Sequence, residues 1–156
     1  MITHRITRIA DVVRIWPFFR EGIEYEAKYL RYNHTLEVYR RILFHLVKQK
    51  DAAWVGVVYD DEQEIPYPVA FVMSHDVTPL FAAEREFEVS MFYFRRGYKP
   101  TINLLQNRLD EHCRSNGIAR YYLSTSSFCS SAERVFKDSW RGLERSNTVF
   151  KRKLSK

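Results

Sequence analysis

The chain has 156 residues, enough for one domain with a buried core; 46% are apolar, and 11 Phe, 10 Tyr and 3 Trp exclude a disordered segment. No apolar run approaches the ~20 residues of a membrane helix, and two cysteines, Cys113 and Cys129, do not make a disulfide framework. The net charge of +6 permits a polyanionic partner, but the basic residues are dispersed, with one small cluster at Lys151-Arg152-Lys153, so a solvated basic surface is favoured over nucleic-acid binding.

The N-terminal stretch lacks the apolar segment of a secretory signal, so the expected compartment is the cytoplasm. Ile2 to Ile9 reads as a first strand. Asp11 is a candidate N-cap, and Val12, Ile15, Trp16 and Phe19 recur at helical spacing behind it, with Gly22 expected to end or loosen the helix. A second helix is expected over Leu36–Lys48, with Val38, Ile42 and Leu46 on its apolar stripe. The period then changes. Ala53–Tyr59 is a strand buried on both faces, Asp60 to Glu64 a polar turn, and Pro68–Ser74 the return strand of a hairpin. Pro66 and Pro68 should confine regular pairing to the residues after them.

From Glu86 to Met91 the sequence alternates. Glu86, Glu88 and Ser90 fall on one face; Phe87, Val89 and Met91 fall on the other. The alternation fails at Phe92-Tyr93-Phe94, which points to a bulge or to burial on both faces. Arg95-Arg96-Gly97 ends the strand, and Pro100 opens a helix whose stripe is Ile102, Leu105, Leu109 and Cys113. Asn116-Gly117 stops it. Ala119–Thr125 is a further strand. Ser130-Ser131-Ala132-Glu133 fits a capping box before a short helix through Phe136, and Asn147–Leu154 is an ending strand. With no linker or repeat, residues 1–156 read as one α+β domain. The order is β-α-α-β-β-β-α-β-α-β, a mixed central sheet with helices on both faces.

This order, with Arg96-Gly97 between the fourth strand and the third helix, resembles the GNAT acetyltransferase superfamily over nearly the whole chain, most clearly from Glu86 to Leu154. The pair Leu104-Leu105 sets the register: Arg96 matches the motif's Arg/Gln position, and Lys99 and Thr101 stand where the family has small residues. The resemblance implies acetyl-CoA as co-substrate and an amine acceptor. It implies parted fourth and fifth strands, with backbone around Phe92, Tyr93 and Phe94 beside the pantetheine arm. Arg95, Arg96, Gly97, Tyr98, Lys99 and Thr101 would surround the pyrophosphate. Glu88 or Glu86 would be the general base. The family's helix tyrosine, a general acid, matches Phe136, which has no proton to give. A second expectation therefore stands beside the enzyme: a GNAT-like scaffold kept as an interaction module, for a protein partner or for virion assembly, as some phage-encoded relatives of the fold are.

Other chemistry is less well supported. The five histidines have no metal spacing. No nucleophile elbow surrounds Ser124-Thr125-Ser126-Ser127, and Cys129 has no visible base. Tyr25, Tyr29, Tyr32 and Tyr39 lie where the resemblance implies acceptor recognition; partial burial with wet hydroxyls is the alternative.

Overall fold

The computed structural model describes residues 1–30, 40, 52–62 and 64–123. The expected second helix, the region from Ser124 through the capping box and Phe136, the ending strand, Cys129, Tyr29, Tyr32 and Tyr39 lie outside the described residues.

The described elements run β1 (Ile2–Arg5), α1 (Ile9–Leu30), β2 (Ala53–Asp60), β3 (Tyr67–Asp76), β4 (Arg85–Phe94), α2 (Thr101–Ser115) and β5 (Ile118–Leu123). The five strands form one sheet in sequence order. The first three pairings are antiparallel and β4–β5 is parallel. Two-residue turns can close antiparallel pairs, but a parallel pair needs a crossover, and α2 supplies it. The architecture is the expected α+β arrangement with a mixed sheet.

β2 and most of β3 are buried on both faces because they carry apolar residues at both parities. Trp54, Val58, Val72, Phe87 and Val89 pack with Ile102, Leu105, Leu109 and Cys113 of α2. On the opposite face, Val55, Val57, Phe71 and Met73 pack with Val12, Ile15, Phe18 and Phe19 of α1. Of the Leu pair, Leu105 is buried and Leu104 is exposed. Burial pushes the Cys113 thiol up to about 11, so it acts as a core side chain rather than a nucleophile.

Four sequence expectations are corrected. β1 ends at Arg5, and α1 begins at Ile9, before Asp11. Asp11 therefore sits in the first turn, where it accepts hydrogen bonds from Arg8 and complements the helix dipole. β3 begins at Tyr67 and pairs Pro68 with Tyr59; the irregularity falls between Val58 and Tyr59 of the partner strand. Gly22 does not end α1, which continues to Leu30. Its role is close approach. A Cβ there would lie 2.6 Å from Phe71 Cζ and 3.0 Å from Tyr93 Cβ.

Gly22→Ala should accordingly destabilise the chain. Alanine gains about 1 kcal/mol of helix propensity, but the methyl group must push a fully buried phenylalanine and a strand Cβ aside. Overpacking of this kind costs about 1–3 kcal/mol. A net loss in chemical denaturation is the expected result, opposite in sign to the propensity scale.

Candidate active site at the β4 bulge and the turn after it

β4 and β5 pair from Arg85↔Ile118 to Val89↔Leu123. Beyond Val89, β4 continues to Phe94 paired with β3 alone among the described residues. The change coincides with a bulge. Met73 pairs Met91 and Ser74 pairs Val89, so Ser90 is the extra residue. A bulge shifts the side-chain phase by one. Phe92 and Phe94 therefore join Phe87 and Val89 against α2, their rings stacked with centroids 6.5 Å apart. Met91 and Tyr93 turn to the α1 face. The sequence reading had Met91 with Phe87 and Val89; the bulge at Ser90, earlier than the broken alternation indicated, moves it across the sheet. The backbone edge of Phe92, Tyr93 and Phe94 turned away from β3 is left without β5 among the described residues.

Glu86 and Glu88 precede the bulge, and β5 treats them differently. Glu86 Oε2 accepts a hydrogen bond from the Tyr122 hydroxyl at 3.0 Å, and Oε1 lies 3.2 Å from Arg120 Nε. Both its oxygens are thus engaged. Partial desolvation and the bond to Glu86 raise the Tyr122 phenol, which stays protonated. Glu88 is the cross-strand partner of Tyr122, one pair before the last described β4–β5 pair, and is half-buried. Arg120 and Tyr122 were not singled out from the sequence. Their strand was legible, but which glutamate they meet depends on the parallel register.

The basic turn after β4 is also divided. Arg95 is a structural tie. Its Nη2 lies 2.6 Å from Glu21 Oε2 of α1, and its Nη1 donates to Pro68 O at 3.0 Å. Its guanidinium sits 4.0 Å from the Tyr67 ring centroid and 4.8 Å from that of Phe18. Tyr93 donates its hydroxyl proton to Glu21 Oε1 at 2.6 Å. Tyr98 donates to Asp60 at 2.8 Å, and the buried Thr101 hydroxyl donates to Tyr98 O at 2.5 Å. The side chains of Arg95, Tyr98 and Thr101, all expected around a pyrophosphate, are therefore committed inside the protein.

Arg96 and Gly97 differ from these three. Both are exposed, and neither makes a hydrogen bond or ion pair among the described residues. Gly97 has φ of +93°, with no atom within 4 Å of a Cβ built on it. The positive φ lets the turn reverse without strain and leaves open space over it. Lys99 is half-buried beside it. The start of α2 is less available than a helix N-terminus usually is. The amides of Thr101, Ile102 and Asn103 donate to Tyr98, Lys99 and Pro100 carbonyls. A diphosphate would fit the turn at Arg96-Gly97, with Lys99 as a second cation, rather than the first turn of α2.

Solved structures share this fold. The chain is similar to a protein described as a probable acetyltransferase, with a TM-score of 0.75 at 16% identity, covering 100% of this chain and 99% of the other. It is similar to a ribosomal-protein-alanine N-acetyltransferase from Brucella melitensis biovar Abortus 2308, with a TM-score of 0.63 at 15% identity over 97% and 99% of the two chains. A third is an aminoglycoside N-acetyltransferase, AAC(6')-Iy, in complex with CoA, with a TM-score of 0.61 at 11% identity over 99% and 100%. No family model and no curated protein matches the chain. The fold is the GNAT acetyltransferase fold expected from the sequence.

Proposed function

We propose that this chain is an N-acetyltransferase that moves an acetyl group from acetyl-CoA to an amine. The observation that carries the reading is the bulge at Ser90 of β4, beside the last described β4–β5 pair Val89↔Leu123, followed by the exposed Arg96-Gly97 turn. In this reading the donor's arm lies along β4 beyond that bulge. Likeness of the whole fold to acetyltransferases, one of them in complex with CoA, supports the same reading.

Bound acetyl-CoA would supply an activated thioester. In this reading the β4 backbone from Phe92 to Phe94 orients its arm, and Arg96, the turn amides of Arg96 and Gly97, and Lys99 hold the diphosphate charge. Glu88 is the base that takes the proton of the attacking amine; the amine nitrogen bonds to the acetyl carbon, the thioester C–S bond breaks, and the CoA thiolate that leaves takes its proton from solvent. Glu86 is the poorer choice, because Arg120 and Tyr122 occupy both its oxygens. Arg95 acts through position: its tie to Glu21 fixes the turn that displays Arg96.

Calorimetry with acetyl-CoA tests this. Wild type should bind in the micromolar range. Arg96→Ala should weaken binding about tenfold, as expected for one charge-assisted contact at an exposed turn. Binding absent up to millimolar donor overturns the reading. Binding without turnover on a panel of amines moves the chain to the second reading, a non-catalytic module with a protein partner, including one within a virion. That reading has its own support: three of the expected phosphate-contacting side chains, Arg95, Tyr98 and Thr101, are spent on intramolecular bonds.

A further inference from the structure

Two large apolar side chains stand out of the fold. Leu80 is 96% exposed and Phe81 100%, side by side in the turn that joins β3 to β4. The turn is built, so it holds them out. Asp76 Oδ1 accepts from the Thr78 amide at 2.8 Å, the Thr78 hydroxyl oxygen accepts from the Glu86 amide at 2.9 Å, and the Ala82 amide donates to Pro79 O at 2.9 Å. A fixed tip loses little freedom on docking.

Charge narrows the choice of what covers it. Val77 to Glu84 contain no lysine or arginine. At the base of the turn three carboxylates, of Asp76, Glu84 and Glu86, pair with two guanidiniums, of Arg85 and Arg120, which leaves a negative excess in this cluster. Insertion into an anionic lipid surface relies on basic residues beside the apolar ones, and this tip has none. A second copy of the chain, at net charge +6, attracts it.

A recess of about 470 Å³ lies between the start of β1 and α2. Met1, Ile2 and Leu104 give it apolar walls, and all three are exposed. Arg108 stands on its α2 side, 2.8 Å from Glu111 in a pair with both side chains more than half exposed. Such a pair contributes little, so Arg108 can turn to another carboxylate. The recess and the tip sit at opposite ends of the sheet. Ile2 pairs with Tyr59 at one end of β2, and His75 with Ala53 at the other. That is roughly 20 Å along the strand, and the tip lies past His75. A chain therefore cannot fill its own recess with its own tip.

We infer that Leu80 and Phe81 of one copy dock in the recess of Met1, Ile2 and Leu104 on a second copy, with the acidic flank of the tip toward Arg108. The contact joins unlike surfaces. Neither surface includes a residue of the proposed acetyl-transfer site, so docking and catalysis are separable.

Sedimentation equilibrium of the full chain from about 10 µM to about 1 mM reads the contact. Two apolar anchors in a small recess place the dissociation constant on the order of 0.1 mM. Phe81→Asp and Leu104→Asp should each weaken association at least about tenfold, and Phe81→Leu should stay within about threefold of wild type. Mixing Phe81→Asp with Leu104→Asp should restore association, because the intact recess of the first meets the intact tip of the second. Wild type that stays monomeric at about 1 mM overturns the docking. So does a mixture no stronger than either variant alone, the result of a tip-to-tip contact. Co-sedimentation of a monomeric chain with phosphatidylcholine vesicles, lost in Phe81→Asp, assigns the tip to lipid and overturns it as well. Phe81 and Leu104 are surface positions, so the variants keep the fold, which circular dichroism checks.

Discussion

If the proposed function holds, Glu88→Gln should lower kcat by about 10²- to 10⁴-fold while acetyl-CoA binding stays within about twofold of wild type, the pattern of a lost general base. The amide has nearly the shape of the carboxylate but cannot accept the amine proton. The same change at Glu86 has a different signature. Glutamine at 86 removes a charge that Arg120 and Tyr122 face on β5. It therefore loosens the β4–β5 seam and lowers thermal stability, and the residual activity keeps the wild-type dependence on pH. The measurement is a pH profile of kcat/KM for both variants. If Glu86→Gln abolishes the acidic limb and Glu88→Gln leaves it, the assignment of base between them is reversed.

Arg95→Ala is the second large effect, and it acts on stability before function. The change removes a guanidinium that pairs with Glu21, donates to Pro68 O, and lies against the rings of Tyr67 and Phe18. The Arg95 side chain is 20% exposed and that of Glu21 is 40% exposed, so the ion pair itself is partly screened. Ring contacts and the charged hydrogen bonds together still suggest a loss of about 2–3 kcal/mol. Chemical denaturation measures it. Arg95→Lys should recover little, because a point ammonium cannot make the forked pair and the stacking together.

The same tie gives a pH dependence. Hydrogen bonds from Arg95 first, and from Tyr93, hold the Glu21 carboxyl below its usual value against the opposing effect of burial. A lowered folded-state pKa contributes stability that is fully present above the unfolded value, roughly 4.3 for glutamate. It is lost as pH falls through the lowered folded value. Wild type should therefore lose stability below about pH 4.5 more steeply than Glu21→Gln. Parallel curves for the two proteins would remove Glu21 from the acid transition.

Much of the architecture was legible because burial on one or two faces imprints a period on the chain. β2, β3 and α2 stand within a few residues of where apolar spacing put them. Gly22 was misread because its helix-breaking tendency is local, whereas its use is a contact with Phe71 and Tyr93, residues that no sequence window joins to it. Met91 was placed on the wrong face for a similar reason. Alternation shows that a strand slips phase, but the position of the extra residue depends on how β3 pairs with it.

The candidate site divides in the same way. Sequence alone supplied the residue types: two glutamates on one strand, then arginines, glycine and lysine before a helix. It could not say which of those charges are spent. That was decided by long-range partners, with Glu21 taking Arg95, Asp60 taking Tyr98, and Arg120 with Tyr122 taking Glu86. A charge's chemistry depends on its nearest opposite charge, and in a folded chain that neighbour is set by packing rather than by order along the sequence.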